Sequence, residues 1–120
     1  MTVRTLPTHS DDRGRLLVAE DADIGFTVRR AFAITAAPAG VDRGDHLVPC
    51  RQLMVLVSGR ATVRTGTSAD DLSGVDELVE PGDAVDLPAG VWVQYRLSGP
   101  DAVVLVFAEA PYQPREGDAS

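Results

Sequence analysis

Apolar residues recur along most of the chain in short runs, and polar or turn-forming residues separate them. The runs are rich in Val, Leu and Ile, and they are too short for helices of ordinary length. The separators contain Gly, Pro, Asp and Ser, which favour turns. The pattern predicts strands at 15–20, 27–35, 52–57, 60–65, 77–80, 83–88, 91–97 and 102–108.

Several polar segments predict specific local structure. Ser58 and Gly59 stand between two apolar runs and predict a tight hairpin. The segment 66–76, GTSADDLSGVD, is polar and predicts a mobile loop. Residues 1–11 and 113–120 contain little to bury, so we expect both ends to be flexible. His9 lies in the first of these ends and is expected to have no role.

The length of the chain is consistent with one domain. It contains 120 residues, 44% of them hydrophobic, which suffices for one core but not for two. We therefore expect a single all-β domain, a sandwich or barrel, spanning residues 1–120. The longest apolar run, 102–108, is too short to span a bilayer, and no leader is evident, so we expect a cytoplasmic protein. Cys50 is the only cysteine, which excludes an internal disulfide.

The charge of the chain excludes two classes of partner. The formal net charge is −7 and the acidic residues are scattered, which is unfavourable for binding nucleic acid or an anionic membrane. All eleven basic residues are Arg. Arginine binds carboxylate and phosphate well, so a buried Arg could still hold an anion. A biased codon usage explains the same observation.

Two spaced motifs identify a more specific fold. In the first, Gly40 is followed by His46, Val48, Gln52 and Gly59 at fixed intervals. In the second, Gly82 is followed by Pro88, Gly90 and Val93. Both spacings resemble the two motifs of the cupin superfamily, which implies a jelly-roll β-barrel.

The same resemblance indicates where a metal would bind. Cupins typically place their metal ligands at the positions of His46, Val48, Gln52 and Val93. Only His46 is a good ligand for a transition metal, and a divalent metal normally needs three or four N, O or S donors. We therefore predict no metal and no other cofactor.

The alternation of side chains along strands predicts what faces the interior. If His46 faces inwards, so does Val48. Val93 would bring Val91, Tyr95 and Leu97 to the same face, and Gln52 would bring Met54 and Leu56. The interior is then mainly aliphatic, and its polar members are His46, Gln52 and Tyr95. Such a composition is typical of a small-molecule cavity, and also of an ordinary packed core.

A longer pattern resembles the sugar 3,4-ketoisomerase, or WxcM-like, branch of the cupins, which acts on dTDP-4-oxo-6-deoxyhexoses. The resemblance extends from about Asp12 to Tyr112. Its most specific pieces are the RG-x-H of 43–46 and the P-x-GVW of 88–92. The other matching pieces are 12–16, 24–26, 29–30, 40–42, 52, 57–59, 101–103, 108–109 and 112.

The chain departs from that branch at the residues that transfer protons. The resemblance implies paired histidines at His46 and Val48, of which only His46 is present. The tyrosine-rich run of the family falls on Phe32, Ala33 and Thr35. One residue is missing between His46 and Gln52 relative to the family spacing. Without these groups little acid–base catalysis remains, unless Tyr95 or Asp45 replaces them.

These arguments define a candidate site. His46 and Tyr95 are the candidate catalytic residues, and both could instead be structural. Arg43 could bind an anion of the ligand or form a surface ion pair with its neighbour Asp42. Trp92 could face a partner subunit or the barrel mouth. The complete set of candidate substrate-binding residues is Arg30, Phe32, Arg43, Val48, Gln52, Met54 and Val93.

Three functions are compatible with this site. The first is a metal-independent isomerase or cyclase of natural-product biosynthesis that works mainly by positioning its substrate in an apolar cavity. The second is a dTDP-4-oxo-6-deoxyhexose 3,4-ketoisomerase with a rearranged acid and base. The third is a noncatalytic ligand-binding or partner subunit. The resemblance also implies a homodimer formed by strand exchange or by pairing of sheet edges.

Overall fold

The structure, a computed structural model, describes residues 3–112. Within this range it contains eleven strands and one short helix, which confirms the predicted all-β class. No helix in the described range is long and apolar enough to cross a membrane. The elements in chain order are β1 Val3–Thr5, β2 Thr8–Asp11, β3 Gly14–Leu17, α1 Asp21–Ile24, β4 Arg30–Ile34, β5 Asp42–Leu47, β6 Gln52–Ser58, β7 Ala61–Gly66, β8 Gly74–Leu78, β9 Asp83–Leu87, β10 Trp92–Leu97 and β11 Val103–Ala108.

The strands form two principal antiparallel sheets. The first has the order β1-β9-β6-β11-β4, and the second has the order β5-β10-β7-β8. Strands β2 and β3 form a separate two-stranded hairpin. Neighbouring strands of each sheet are far apart in the sequence, because the chain passes repeatedly between the two sheets.

The main hydrophobic core lies between the two sheets. It contains the inward-facing residues of both, such as Leu56 and Val104 from the first sheet and Val63 and Leu97 from the second. Strand β7 alternates buried and more exposed residues, as expected when one face of a strand packs against a core. The apolar alternation in the sequence therefore identified the inner faces correctly.

Strand β6 is buried on both faces, which explains its continuous apolar sequence. Its outward residues Leu53 and Val55 pack in a second cluster with Leu6, Ile24 and Phe26. Helix α1 and the chain before it thus cover the outer face of the five-stranded sheet. Because this layer consists of few residues, it leaves most of the other sheet's outer face exposed to solvent.

The start of the chain differs from the expectation of a flexible end. Residues 3–5 form β1, which pairs with β9, and Thr8–Asp11 form β2, which contains His9. The guanidinium of Arg4 donates hydrogen bonds to the carboxylate of Asp86 at 2.9 and 3.2 Å. Pairing with a distant strand and this ion pair order a segment that has little apolar content of its own. The expectation of a flexible end at 113–120 falls outside the described residues.

Two other local predictions were wrong. Ser58 and Gly59 do not form a hairpin, because β6 and β7 belong to different sheets. Gly59 has a φ of +74°, and a Cβ there would lie 2.6 Å from the Cβ of Ala102. The predicted loop at 66–76 ends earlier than expected, since Gly74–Leu78 form β8 and pair with β7.

Candidate active site

A cavity of about 270 Å³ lies between the two sheets and opens to solvent. Its walls come from β4, β6, β9 and β11 of the first sheet and from β5 and β10 of the second. The residues that line it are Arg30, Phe32, Ala33, Ile34, Arg43, Gly44, His46, Gln52, Met54, Leu87, Val93, Tyr95 and Val106.

The floor of the cavity consists of two neighbouring rows of side chains across the five-stranded sheet. In the first row, Phe32 on β4, Val106 on β11 and Met54 on β6 are cross-strand partners. This row is apolar. The second row is polar at two places and consists of Arg30, Ala108, Gln52 and Leu87.

The roof of the cavity comes from two cross-strand pairs of β5 and β10. His46 pairs with Val93, and Arg43 pairs with Tyr95. Arg43 and His46 are three residues apart, so a regular strand would direct them to opposite faces. The register shifts between Val93 and Gln94, which gives β5 one extra residue, a β-bulge. The bulge therefore brings both side chains to the cavity.

Tyr95 is a buried phenol beside a cation. Its exposed fraction is 9%. Burial raises the pKa of Tyr95, and the hydrogen bond and positive charge of Arg43 partly oppose that increase. The phenol is therefore protonated at neutral pH and can donate a hydrogen bond to a ligand.

His46 is half-buried, and one of its ring nitrogens is fixed. Its Nδ1 lies 2.9 Å from the backbone carbonyl oxygen of Leu47. A carbonyl can only accept a hydrogen bond, so Nδ1 carries the proton in the neutral ring and Nε2 carries the lone pair. In this tautomer His46 can act as a base through Nε2.

Gln52 is a buried amide without a hydrogen-bond partner. Its exposed fraction is 7%, and within residues 3–112 no group forms a hydrogen bond with its side chain. Buried polar groups are nearly always hydrogen-bonded, because leaving them unpaired is unfavourable. Since Gln52 lines the cavity, a ligand or water there would supply the missing partner.

Two arginines give the cavity a positive end. The guanidinium of Arg30 lies over the rings of Phe32 and Tyr112, with centroid distances of 4.4 and 4.8 Å. Neither Arg30 nor Arg43 forms an ion pair with any residue in the described range, and none of the lining side chains is acidic. An anionic group of a ligand could bind here without competition from a carboxylate.

The structure brings together most of the residues predicted from the sequence. All of the candidate site residues line the cavity except Val48. Val48 lies just beyond the end of β5 and is buried in the main core, with an exposed fraction of 1%. Trp92, for which two positions were considered, is half-buried and does not line the cavity.

The sequence analysis missed Ile34, Leu87 and Val106 as lining residues. Ile34 follows Phe32 by two positions on the same strand, so alternation could have found it. Leu87 and Val106 reach the cavity because β9 and β11 flank β6 in the sheet, and no local signal predicts that order.

The residues at the cupin ligand positions do not fit a transition metal. His46 is the only strong donor, because Val48 and Val93 have no donor atoms and Gln52 offers a neutral amide. Within the described range no three His, Cys, Asp or Glu side chains cluster closely enough to hold a metal ion. No step of the chemistry is therefore assigned to a metal.

Two facing antiparallel sheets with a cavity between them define a single-domain cupin barrel. A family model described as "FdtA: WxcM-like, C-terminal" matches residues 1–118, so the chain belongs to this family. This confirms the resemblance seen in the sequence. None of the curated proteins compared with the chain matches it.

Solved structures share the fold over almost the whole chain. The sugar 3,4-ketoisomerase QdtA from Thermoanaerobacterium thermosaccharolyticum, in complex with TDP, has a TM-score of 0.81 and 23% identity, covering 93% of this chain and 82% of that one. A 3,4-ketoisomerase from Helicobacter canadensis has a TM-score of 0.80 and 21% identity, covering 93% and 84%. ChmJ, a 3'-monoepimerase from Streptomyces bikiniensis in complex with dTDP-quinovose, has a TM-score of 0.75 and 20% identity, covering 93% and 65%.

Proposed function

We propose that this protein is a metal-independent isomerase that moves a carbonyl group within a small molecule bound in the cavity. The observation that carries the proposal is that His46, with a free Nε2, and Tyr95, a protonated phenol, line the same largely apolar cavity. General acid–base catalysis needs such a pair at the substrate. The substrate that we favour is a nucleotide-linked 4-keto-6-deoxy sugar, because QdtA has been solved with TDP-4-keto-6-deoxyglucose.

The proposed reaction has two proton-transfer stages. His46 Nε2 removes the proton from the carbon next to the carbonyl, and the electron pair moves towards the carbonyl oxygen, which receives the proton of Tyr95. The product is an enediol. The phenolate of Tyr95 then takes the proton of the neighbouring hydroxyl, and the His46 imidazolium returns its proton to the former carbonyl carbon. The carbonyl has moved by one carbon, and both residues have regained their starting states.

The other cavity residues would position this substrate. Gln52 would supply hydrogen bonds to sugar hydroxyls, since its buried amide has no partner within the described range. Arg30 and Arg43 would bind the phosphate groups. Phe32, Met54 and Val93 would pack against the apolar face of the sugar and exclude water.

A second function is favoured by the aliphatic character of the cavity. Met54, Leu87, Val93 and Val106 form a large part of its wall. A substrate held against such a surface could isomerise or cyclise because its reactive conformer is selected, without proton transfer by the protein. This is the cyclase of natural-product biosynthesis considered above. It requires shape more than it requires His46.

Solvent exchange separates these functions. TDP-4-keto-6-deoxyglucose is incubated with the protein in D₂O, and deuterium incorporation is followed by proton NMR. The ketoisomerase predicts incorporation that His46→Asn reduces at least about 100-fold, because one acid–base group contributes that much. His9→Asn is the matched control, since His9 lies on the β2–β3 hairpin away from the cavity. Absence of incorporation with the unmodified protein would exclude the ketoisomerase.

The cyclase has a different dependence on the cavity. Val93→Phe should place a ring in the space that the substrate needs, so it should abolish turnover, while His46→Asn has a small effect. Val75→Phe is the control, because Val75 is an exposed valine on β8, with an exposed fraction of 53%. A noncatalytic binder would turn over no candidate substrate in either assay.

The assembly and location remain predictions. Within the described residues β5 and β8 are the edges of one sheet, and β1 and β4 are the edges of the other, so partner strands have places to pair. We therefore propose a homodimer, to be tested by light scattering of the purified protein at several concentrations. A constant monomer mass would contradict it. The expectation of a cytoplasmic location is likewise untested.

A further inference from the structure

The bulge in β5 depends on an unusual pair of backbone conformations. Gly44 has a φ of +77° and Asp45 a φ of +60°. Gly44 pairs with Gln94 and His46 pairs with Val93, so Asp45 has no partner on β10. Left-handed backbone is unfavourable for residues with a Cβ, although Asp adopts it more readily than most. Something outside the backbone must therefore favour this conformation over a regular strand.

A side-chain hydrogen bond supplies that preference. The indole Nε1 of Trp92 donates to Oδ1 of Asp45 at 2.9 Å. Trp92 begins β10, which is held between β5 and β7 by pairing on both sides. Neither Trp92 nor Asp45 lines the cavity. The pair therefore acts on the bulge from outside the site.

We propose that Trp92 and Asp45 are positioning residues whose hydrogen bond holds the β5 bulge and thereby keeps Arg43 beside Tyr95 in the cavity. Without the bulge, alternation would place Arg43 and His46 on opposite faces of β5. The importance of this arrangement for catalysis rests on the proposed function. The arrangement itself does not, because it is a property of the free protein.

The test measures the phenol of Tyr95 directly. Tyrosine labelled with ¹³C at Cζ gives one NMR signal each for Tyr95 and Tyr112, and Tyr95→Phe identifies which is which. The charged or titratable side chains that share the cavity with Tyr95 are Arg30, Arg43 and His46. Arg43→Met should raise the pKa of Tyr95, because a cation that stabilises the phenolate is removed.

Trp92→Phe removes the indole donor and keeps an aromatic ring. We expect it to raise the pKa of Tyr95 in the same direction as Arg43→Met, and the double variant to shift it no further than Arg43→Met alone. Asp45→Asn keeps an acceptor oxygen and tolerates the left-handed conformation, so it should preserve the original titration. If Trp92→Phe is folded, as judged by circular dichroism, and Tyr95 titrates as in the unmodified protein, the proposal is wrong.

A second variant covers the case in which Trp92→Phe does not fold. Asp45→Gly removes the carboxylate but relieves the backbone strain, so a stable protein is expected. It should raise the pKa of Tyr95 as Trp92→Phe does, and an unchanged titration would overturn the proposal. These measurements use no substrate, so their failure is distinct from failure of the proposed isomerase. If the isomerase is correct, both variants should lower kcat more than they change KM.

Discussion

The backbone of Gly44 lies directly against the ring of Tyr95. A Cβ added to Gly44 would be 2.8 Å from Cε1 of the ring and 3.2 Å from the carbonyl oxygen of Val93. Real Cβ atoms do not approach other atoms so closely, so only glycine allows this contact. The proposed acid is thus seated by the same bulge that turns Arg43 and His46 towards the cavity.

Gly44→Ala should destabilise the protein for two reasons. It places a side chain at a φ of +77°, and it forces the Tyr95 ring to move. We expect a loss of about 2–4 kcal/mol in the free energy of unfolding, measured with urea. The matched control is Gly40→Ala, which has a φ of +80° but no atom within 4 Å of the added Cβ. It should lose only about 1–2 kcal/mol. Equal losses would mean that the ring contact contributes nothing.

Asp83 makes the stability depend on pH in the acid range. Burial raises the pKa of its carboxyl, but hydrogen bonds from the backbone N–H groups of Glu80 and Val79 and from the hydroxyl of Thr5 outweigh this and lower it. A lowered pKa in the folded state stabilises the fold above the unfolded-state pKa, about 3.9. This contribution is lost as the pH falls through the lower folded-state pKa.

Asp83→Asn should therefore reduce stability at pH 7 by about 1–2 kcal/mol, because the charged acceptor is replaced by a neutral amide. The loss should become smaller below about pH 4, where the carboxyl of the unmodified protein takes up a proton. Thermal unfolding between pH 2.5 and pH 7 measures both. Asp70→Asn is the control, since Asp70 is exposed in the loop before β8. A difference that stays constant over the whole pH range would contradict this account.

Tyr95→Phe tests the proposed acid. The variant keeps the ring that packs on Gly44 and removes only the hydroxyl, so the fold should be retained. We expect kcat for TDP-4-keto-6-deoxyglucose to fall about 100-fold with little change in KM. Because burial raises the pKa of Tyr95, activity of the unmodified protein should decline only in the alkaline range above about pH 10. That alkaline decline should be absent from the residual activity of the variant, and its persistence would assign it to another group.

The sequence could predict the regular parts of this site and not the irregular ones. Strand β10 alternates strictly, so Val93 and Tyr95 were correctly assigned to one inner face. Strand β5 contains a bulge, and alternation from His46 led to Val48, which instead packs in the core beyond the end of the strand. A bulge depends on Gly44, on Asp45 and on a tryptophan 47 positions away from Asp45. Only the folded chain brings these residues together.

The ends of the prediction failed for a related reason. Strands β1 and β8 contain few apolar residues, and their partners are β9 and β7. Pairing with a strand already fixed in a sheet can outweigh a low local β-propensity. The local pattern therefore gave a flexible end and a loop where the structure has edge strands.

Gln52→Leu should separate stability from function. The buried amide of Gln52 has no hydrogen-bond partner within the described range, so a leucine of similar size should leave the melting temperature unchanged or raise it. If the amide is retained to bind a substrate, the same change should increase KM or the Kd of the substrate about tenfold, corresponding to one lost hydrogen bond. Calorimetric titration and thermal unfolding measure the two effects. Met54→Leu, two positions along the same strand, keeps the wall apolar and should change neither by much. A destabilised Gln52→Leu with unaltered substrate binding would instead identify Gln52 as a structural residue.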